Sequence, residues 1–364
     1  VGVRDLSLLS LANRGGDHLA LAATVQSYHG SELRDVPVEF YDGNPASGGK
    51  LLGKHTIARL PANGRATSAT RAQDLIVWEM GLKAEKKKLY VRIPEVAGID
   101  AKGRMPLFER SFTISNYGTS FKTNADAYSF ENPSSEASTA FNLEDALAVV
   151  LMNSKLSTGL RVLSYPKLLE EAKAADELLG QGHCLGMSNT VVSYFINPAA
   201  KPKAGEVFAY SLDDPAVRGN IILQQEYQSS ARYRALRPWQ GSRAPDVARL
   251  VDLVELVRAK FGAGQPVALS LGSPNGGHAV VAYQVATIEE FGSNNLFLYD
   301  SNRPFSTLNH GLAPVALLWP ASESFKYDNY NRIGLHPTLT LPADAGAAFI
   351  ELTRQLAGES LAEL

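Results

Sequence analysis

The chain has 364 residues, of which 45% are hydrophobic and 20% charged, the composition of an ordinary globular protein rather than a disordered or fibrous chain. This length suggests about two domains. The 35 basic and 37 acidic side chains leave a formal charge of −2, which provides no electrostatic drive toward nucleic acid or anionic membranes. The longest aliphatic run, Ala146–Met152, is far shorter than the roughly 18 residues of a transmembrane helix, so we expect no membrane span.

The first 105 residues contain short alternating or β-branched runs separated by turn residues, a spacing typical of a small all-β sandwich. Asp42–Pro45 and Pro61–Gly64 have turn chemistry, because proline fixes φ and glycine or asparagine tolerates positive φ. The polar stretch Ala97–Pro106 predicts a linker, which places the domain boundary near residue 105. Six strands are predicted, at Asp5–Leu11, His18–Tyr28, Val36–Tyr41, Lys50–Ala58, Thr67–Val77 and Lys88–Ile93.

Beyond this boundary, helical patterns come first and strand-like runs later. This order predicts an α+β domain with an antiparallel sheet over residues 106–364. Helices are predicted to begin near Asn142, after Pro166 and at Cys184, and to cover Val247–Phe261 and Asp344–Leu364. Strands are predicted at Pro266–Leu271, His278–Val285 and Leu296–Tyr299.

Cys184 is the only cysteine, so the chain can form no intramolecular disulfide and contains no CxxC motif for zinc or redox chemistry. It follows a glycine-rich break and begins a run in which Cys184, Met187, Ser188, Val191 and Phe195 share one face of a helix. A cysteine is a nucleophile as the thiolate, and its pKa falls at a helix N-terminus and beside an imidazolium. Cys184 is therefore a candidate nucleophile.

His278 is the best candidate base among the seven histidines, because it opens an apolar strand directly after a glycine-rich loop. In that loop, Gly276 and Gly277 would let a substrate backbone approach closely. If the strands that begin at His278 and end at Tyr299 pair in antiparallel fashion, Asp300 lies beside His278 and can accept its ring N–H. Asn302 is the alternative third residue.

Each of these residues also has a purely structural interpretation. Cys184 could be a buried small hydrophobe, His278 a strand-end histidine and Asp300 a turn former before Asn302. His183 is expected to face solvent, and a zinc site built from His183, Cys184 and His278 lacks the usual ligand spacing. We therefore expect no metal and no cofactor.

Three blocks resemble the cysteine, histidine and aspartate or asparagine blocks of bacterial papain-like cysteine peptidases. In chain order, they are Gly182–Ser188, Gly277–Tyr283 and Leu298–Pro304. Ala127–Asn132 is similar to the lead-in of such domains, and the resemblance covers about residues 110 to 340. Val36–Gly43 and Leu60–Gly64 are similar to CARDB-type immunoglobulin-like modules of bacterial surface and secreted proteins.

The resemblance implies a cysteine-type peptidase that acts on peptide or isopeptide bonds through a thioester acyl-enzyme. Cys184 would attack the carbonyl, His278 would transfer the proton and Asp300 would orient the imidazole. The backbone amide of Cys184 would be one oxyanion donor. Papain has a glutamine that serves as the second oxyanion donor six residues before its cysteine. This chain has Leu178 at that position, so the nearest glutamine, Gln181, is the candidate for that role by resemblance. The resemblance also implies a peptide or protein substrate and a secreted, cell-surface or periplasmic location.

Two other functions stay open. A transglutaminase-like acyltransferase uses the same order of cysteine, histidine and aspartate, although such proteins usually follow the histidine with Ala-Trp, and here Ala279 is followed by Val280. Transfer of the acyl group to an amine would distinguish that function. The second is a binding or adhesion protein with an inactive papain-like domain, which would fail to react with an electrophilic thiol probe.

Overall fold

The computed structural model describes residues 1–13, 16–71, 81–105, 107–133, 158–159, 165–166, 169, 182–226, 249–274, 276–305 and 314–336. Within these ranges the chain forms thirteen β-strands and three α-helices. The strands of the first 120 residues are β1 Gly2–Asn13, β2 Gly16–Gln26, β3 Leu33–Asp42, β4 Lys50–Leu60, β5 Arg65–Arg71, β6 Gly81–Arg92 and β7 Leu107–Gly118. None of the helices in these ranges has the length and apolarity needed to cross a membrane.

In the later part of the chain, the described helices come first and the strands follow. The helices are α1 Cys184–Ile196, α2 Pro215–Glu226 and α3 Leu250–Gly262. The later strands are β8 Val267–Ser273, β9 Gly276–Ile288, β10 Ser293–Asp300, β11 Val315–Trp319, β12 Ser324–Lys326 and β13 Arg332–Leu335. The chain divides into two compact units, of which the first comprises Val1–Gly118, Gln284–Phe297 and Pro314–Asp328 and the second the remaining residues.

The first unit consists of antiparallel β-structure. Its smaller sheet has the order β1-β2-β5, and a further ladder runs β4-β3-β6-β7. In β3 the buried residues Val36, Val38 and Phe40 alternate, as one covered face of a sheet requires. Gly43 and Asn63 have φ of +83° and +50°, so the two predicted turns adopt the positive φ that their composition allows.

The six strands predicted in this region are confirmed in β1 to β6, except that residues 72–77 of the fifth lie outside the described residues. The region is β-rich, as predicted. Its compact unit does not end near residue 105, however, because β7 pairs with β6 over twelve residues, from Gly81 opposite Gly118 to Arg92 opposite Leu107. This ladder holds β7 in the first unit. The assignment of residues 1–105 and 106–364 as two functional domains stays a prediction.

The second unit contains the three helices and the sheet formed by β13, β8 and the first half of β9. The predicted strands after residue 265 are confirmed in β8, β9 and β10, and the helix predicted over Val247–Phe261 is confirmed in α3. The helix α2 was not predicted. The helices predicted near Asn142, after Pro166 and over Asp344–Leu364 lie mostly or wholly outside the described residues.

The helix α1 begins at Cys184 as predicted, but it does not have one buried and one exposed face. All ten residues from 185 to 194 are buried. Its polar members, which include Ser188, Asn189 and Thr190, are buried with the apolar ones. The helix is therefore an internal element of the second unit, and the nucleophile candidate lies at its first position.

Close packing of α1 against α2 depends on Gly186. A Cβ added there would overlap the carbonyl oxygen of Ile221 and approach Cβ of Gln225 to 3.1 Å. Neither group can move without displacing α2, since one is helix backbone and the other is the root of a side chain. Glycine is required here by space rather than by its backbone angles.

We expect Gly186→Ala to lower the free energy of unfolding by about 1–3 kcal/mol through overpacking. Urea denaturation measures this loss. Gly262→Ala is the matched control, because an added Cβ at Gly262 meets nothing within 4 Å. That control should be neutral or stabilising by up to about 1 kcal/mol, and equal stabilities for the two variants would contradict the packing argument.

Candidate active site

Cys184 occupies the N-terminus of α1. Gly182, two residues earlier, has φ of +104°, a conformation that glycine adopts without steric cost. The first intrahelical bond runs from the Met187 N–H to the His183 carbonyl at 2.9 Å. The helix therefore provides no acceptor for the N–H of Cys184, which lies at the positive end of the helix dipole.

His278 and Asp300 form a buried hydrogen-bonded pair. His278 lies near the start of β9, opposite Leu271 of β8, and Asp300 is the last residue of β10. Both side chains are 3% exposed, and His278 Nε2 lies 2.7 Å from Asp300 Oδ1. The same carboxylate oxygen accepts the backbone N–H of Asn302 at 2.8 Å. Two donors therefore fix the carboxylate against the imidazole.

The thiol of Cys184 is hydrogen-bonded to His278. Because Asp300 occupies Nε2, the ring nitrogen available to the thiol is Nδ1. Burial favours the neutral thiol, but the hydrogen bond and charge of His278 hold the pKa of Cys184 below its ordinary value. The backbone N–H of Ala279 also donates to the sulfur and acts in the same direction.

The protonation of His278 follows from its two partners. Burial favours the neutral ring, but the charge and hydrogen bond of Asp300, together with those of Cys184, raise the pKa of His278 to about 10. The lowered pKa of Cys184 and the raised pKa of His278 both favour the thiolate and imidazolium pair over the neutral pair. This is the state in which a cysteine is nucleophilic.

The side chain of Asn302, the alternative third residue, contacts a different group. Its Oδ1 accepts a hydrogen bond from Asn132 Nδ2 at 2.9 Å. Asn132 Oδ1 accepts the backbone N–H of His183 at 2.7 Å, and the Asn132 N–H donates to the Ser301 carbonyl at 2.7 Å. The structure thus brings Asp300, and not the side chain of Asn302, to the imidazole. Asn132 was not selected from the sequence, although it ends the stretch similar to papain-like lead-ins.

A second amide that sequence reasoning missed is Gln225 of α2. Its Oε1 accepts the Gly186 N–H at 2.7 Å, and its Nε2 donates to the Gly182 carbonyl at 3.0 Å. Gln225 thereby satisfies one of the free amides in the first turn of α1. Gln181, the candidate oxyanion residue, lies outside the described residues.

The surroundings of the imidazole differ in part from the prediction. His183 is 5% exposed, so the expectation that it faces solvent is wrong. Gly276 and Gly277 are exposed beside His278, with φ of +143° at Gly276. The ring of Tyr330 stacks on that of His278, with centroids 5.8 Å apart and planes 18° apart.

In the part of the chain that the structure describes, no three His, Cys, Asp or Glu side chains form a metal-binding group.

Comparisons with known proteins add little to this geometry. No protein-family model matches the chain, and no curated protein matches it. Among solved structures, the chain is similar to the solution structure of GmR58A from Geobacter metallireducens, a structural genomics target. That match has 24% identity, covers 29% of this chain and 90% of the other, and has a TM-score of 0.20. A score this low supports no argument about fold or function.

The pKa shifts predict how Cys184 reacts with iodoacetamide. The rate should rise with pH through a midpoint below the ordinary value for a thiol, because the neighbouring imidazolium stabilises the thiolate. In His278→Ala the midpoint should move upward, since burial is then no longer opposed by the ring. His29→Ala, at an exposed position, is the control. Identical midpoints in all three proteins would disprove the ion pair.

Proposed function

We propose that this protein is a cysteine peptidase that hydrolyses peptide or isopeptide bonds through a thioester acyl-enzyme. The observation that carries the proposal is the placement of His278 between Asp300 and Cys184. The carboxylate is 2.7 Å from one ring nitrogen, and the thiol is hydrogen-bonded to the ring at the N-terminus of a helix. This arrangement has a nucleophile, a base and an orienting group in contact.

In the acylation step, the Cys184 thiolate forms a bond to the carbonyl carbon and the carbonyl electron pair moves to oxygen. The Cys184 N–H, which α1 leaves without an intrahelical acceptor, can donate to that oxyanion. Collapse of the intermediate breaks the carbon–nitrogen bond. The proton of the His278 imidazolium goes to the leaving nitrogen, which departs as an amine.

In the deacylation step, neutral His278 takes a proton from water as the oxygen attacks the thioester. Collapse then breaks the carbon–sulfur bond and releases the carboxylic acid and the thiolate. Asp300 remains a carboxylate in both steps and stabilises the imidazolium whenever it forms. The net reaction consumes one water for each bond cleaved, and no cofactor enters it.

The substrate is proposed to approach the dyad past the exposed Gly276 and Gly277, which themselves present no side chain to a peptide backbone. The likeness of residues 1–105 to CARDB-type modules supports a role for that region in adhesion, targeting or substrate presentation. It also supports a secreted, cell-surface or periplasmic bacterial location for the activity.

We expect Cys184→Ala to abolish cleavage of an internally quenched peptide library while leaving the free energy of unfolding nearly unchanged. His278→Ala should be similarly inactive, because the base and the counter-charge are both lost. Asp300→Asn should retain partial activity. An amide oxygen at the Oδ1 position can still accept from both the imidazole and the Asn302 N–H, but it stabilises the imidazolium less.

Library cleavage and amine incorporation are measured on the same preparations. Undiminished cleavage by Cys184→Ala would refute the cysteine mechanism. Incorporation of a fluorescent primary amine into acceptor peptides without hydrolysis would assign the protein as an acyltransferase instead. Absence of both reactions, with Cys184 also inert to an electrophilic probe, would support the inactive binding protein.

A further inference from the structure

Asn132 connects the two segments that carry the nucleophile and the carboxylate. Its side-chain oxygen accepts the N–H of His183, the residue before Cys184, and its side-chain nitrogen donates to Asn302, two residues after Asp300. Its backbone N–H donates to the Ser301 carbonyl. Each of these three bonds is 2.7–2.9 Å long.

These bonds complete a closed circuit through the proposed catalytic residues. The Asn302 N–H donates to Asp300 Oδ1, which accepts from His278, and His278 is hydrogen-bonded to Cys184. Cys184 is joined covalently to His183, from which the circuit returns to Asn132. Each residue of the circuit therefore contacts two others. Asn132 joins the segment that contains Cys184 to the segment that follows Asp300.

The orientation of the Asn132 amide is determined by its partners. The backbone nitrogen of His183 can only donate, so the Asn132 atom that faces it must be the oxygen. The nitrogen then faces Asn302, whose facing atom must be its oxygen. Only a side chain with one acceptor and one donor at this spacing makes both bonds.

Space on the other side of the amide is also restricted. A Cβ added at Gly182 would lie 2.8 Å from Asn132 Nδ2. The amide therefore packs directly against the glycine backbone that precedes the nucleophile. Glycine is favoured at position 182 for two reasons. Its φ is +104°, and a side chain there would collide with the Asn132 amide.

We propose that Asn132 is a positioning residue that holds the start of α1 and the loop after Asp300 at the separation at which Cys184 and His278 stay paired. This inference rests on the proposed function. Asn132 touches no reacting atom and acts through His183 and Asn302. Its loss would misplace the thiolate relative to the imidazolium, and displacements of about 1 Å in such pairs cost about 10²-fold in rate.

The test uses the full chain and Asn132→Leu, which keeps the size and shape of the side chain and removes its hydrogen bonds. We expect kcat on the quenched peptide library to fall about 10- to 100-fold while KM changes less than about threefold, because the substrate is not contacted. The iodoacetamide reaction of Cys184 below pH 8 should slow in the same variant. If the wild type cleaves the library and Asn132→Leu has the same kcat, the positioning role is overturned and the proposed function is not.

Asn116→Leu is the matched control. Asn116 Oδ1 accepts a hydrogen bond from Gln284 Nε2 at 2.7 Å in the first unit, so this variant breaks an amide pair that is more buried than that of Asn132 and Asn302. We expect it to lower stability without changing kcat or the rate of alkylation. An equal loss of kcat in Asn116→Leu and Asn132→Leu would mean that general destabilisation accounts for the effect, and the positioning role would be rejected.

A double-mutant cycle tests the bond itself. If Asn132 acts through Asn302, the variant Asn132→Leu/Asn302→Ala should alkylate no more slowly than the slower single variant. Additive losses would overturn the assigned path. Alkylation needs no peptide substrate, so this readout decides the role of Asn132 even if the wild type cleaves nothing, an outcome that would reject the proposed function instead.

Discussion

The buried hydrogen bond between Asp300 and His278 determines the state of every other group in the site. A carboxylate at 3% exposure is costly to ionise unless donors and a counter-charge surround it. Here the ring N–H and the Asn302 amide supply the donors, and the imidazolium supplies the charge. The same interaction raises the pKa of His278, and the imidazolium in turn lowers that of Cys184. The carboxylate therefore favours the thiolate through the imidazolium, although its own charge raises the pKa of Cys184.

The fold assembles this arrangement from distant parts of the chain. The nucleophile comes from the first residue of an internal helix, the base from near the start of β9, and the carboxylate from the end of a later strand. Helix starts and strand ends are positions where side chains are held by rigid backbone and still border a loop. The amides Asn132 and Gln225 then join the loops to one another and to the helix.

Patterns of neighbouring residues in the sequence predicted those strands and helix ends that depend on short stretches of chain. Alternation and turn chemistry predicted β1 to β6, and glycine punctuation before Cys184 predicted the start of α1. The argument from neighbouring strand ends selected Asp300 before Asn302, and the side chain on the imidazole is that of Asp300. These predictions needed only the period of a strand or helix and the geometry of a sheet edge.

The rest depended on tertiary contacts that leave no periodic signal. The face of α1 that contains Gly186 and Thr190 is small and polar, so its burial against α2 could not be read from hydrophobicity. Gln225 and Asn132 bind backbone groups of distant segments, and no sequence spacing marks such partners. The polar stretch Ala97–Pro106 predicts a boundary before β7, a strand that was not predicted from the sequence, whereas its pairing with β6 keeps it in the first unit.

The burial of α1 on every side also has a consequence for hydrogen exchange. Amide protons between residues 185 and 194 have no path to solvent through fraying, because no face of the helix is exposed. They exchange only when the second unit opens around the helix, and such protons report the largest opening free energies in a protein. We therefore expect the nucleophile to be attached to a segment that stays closed when the surface of the second unit loosens, so that Cys184 remains paired with its base.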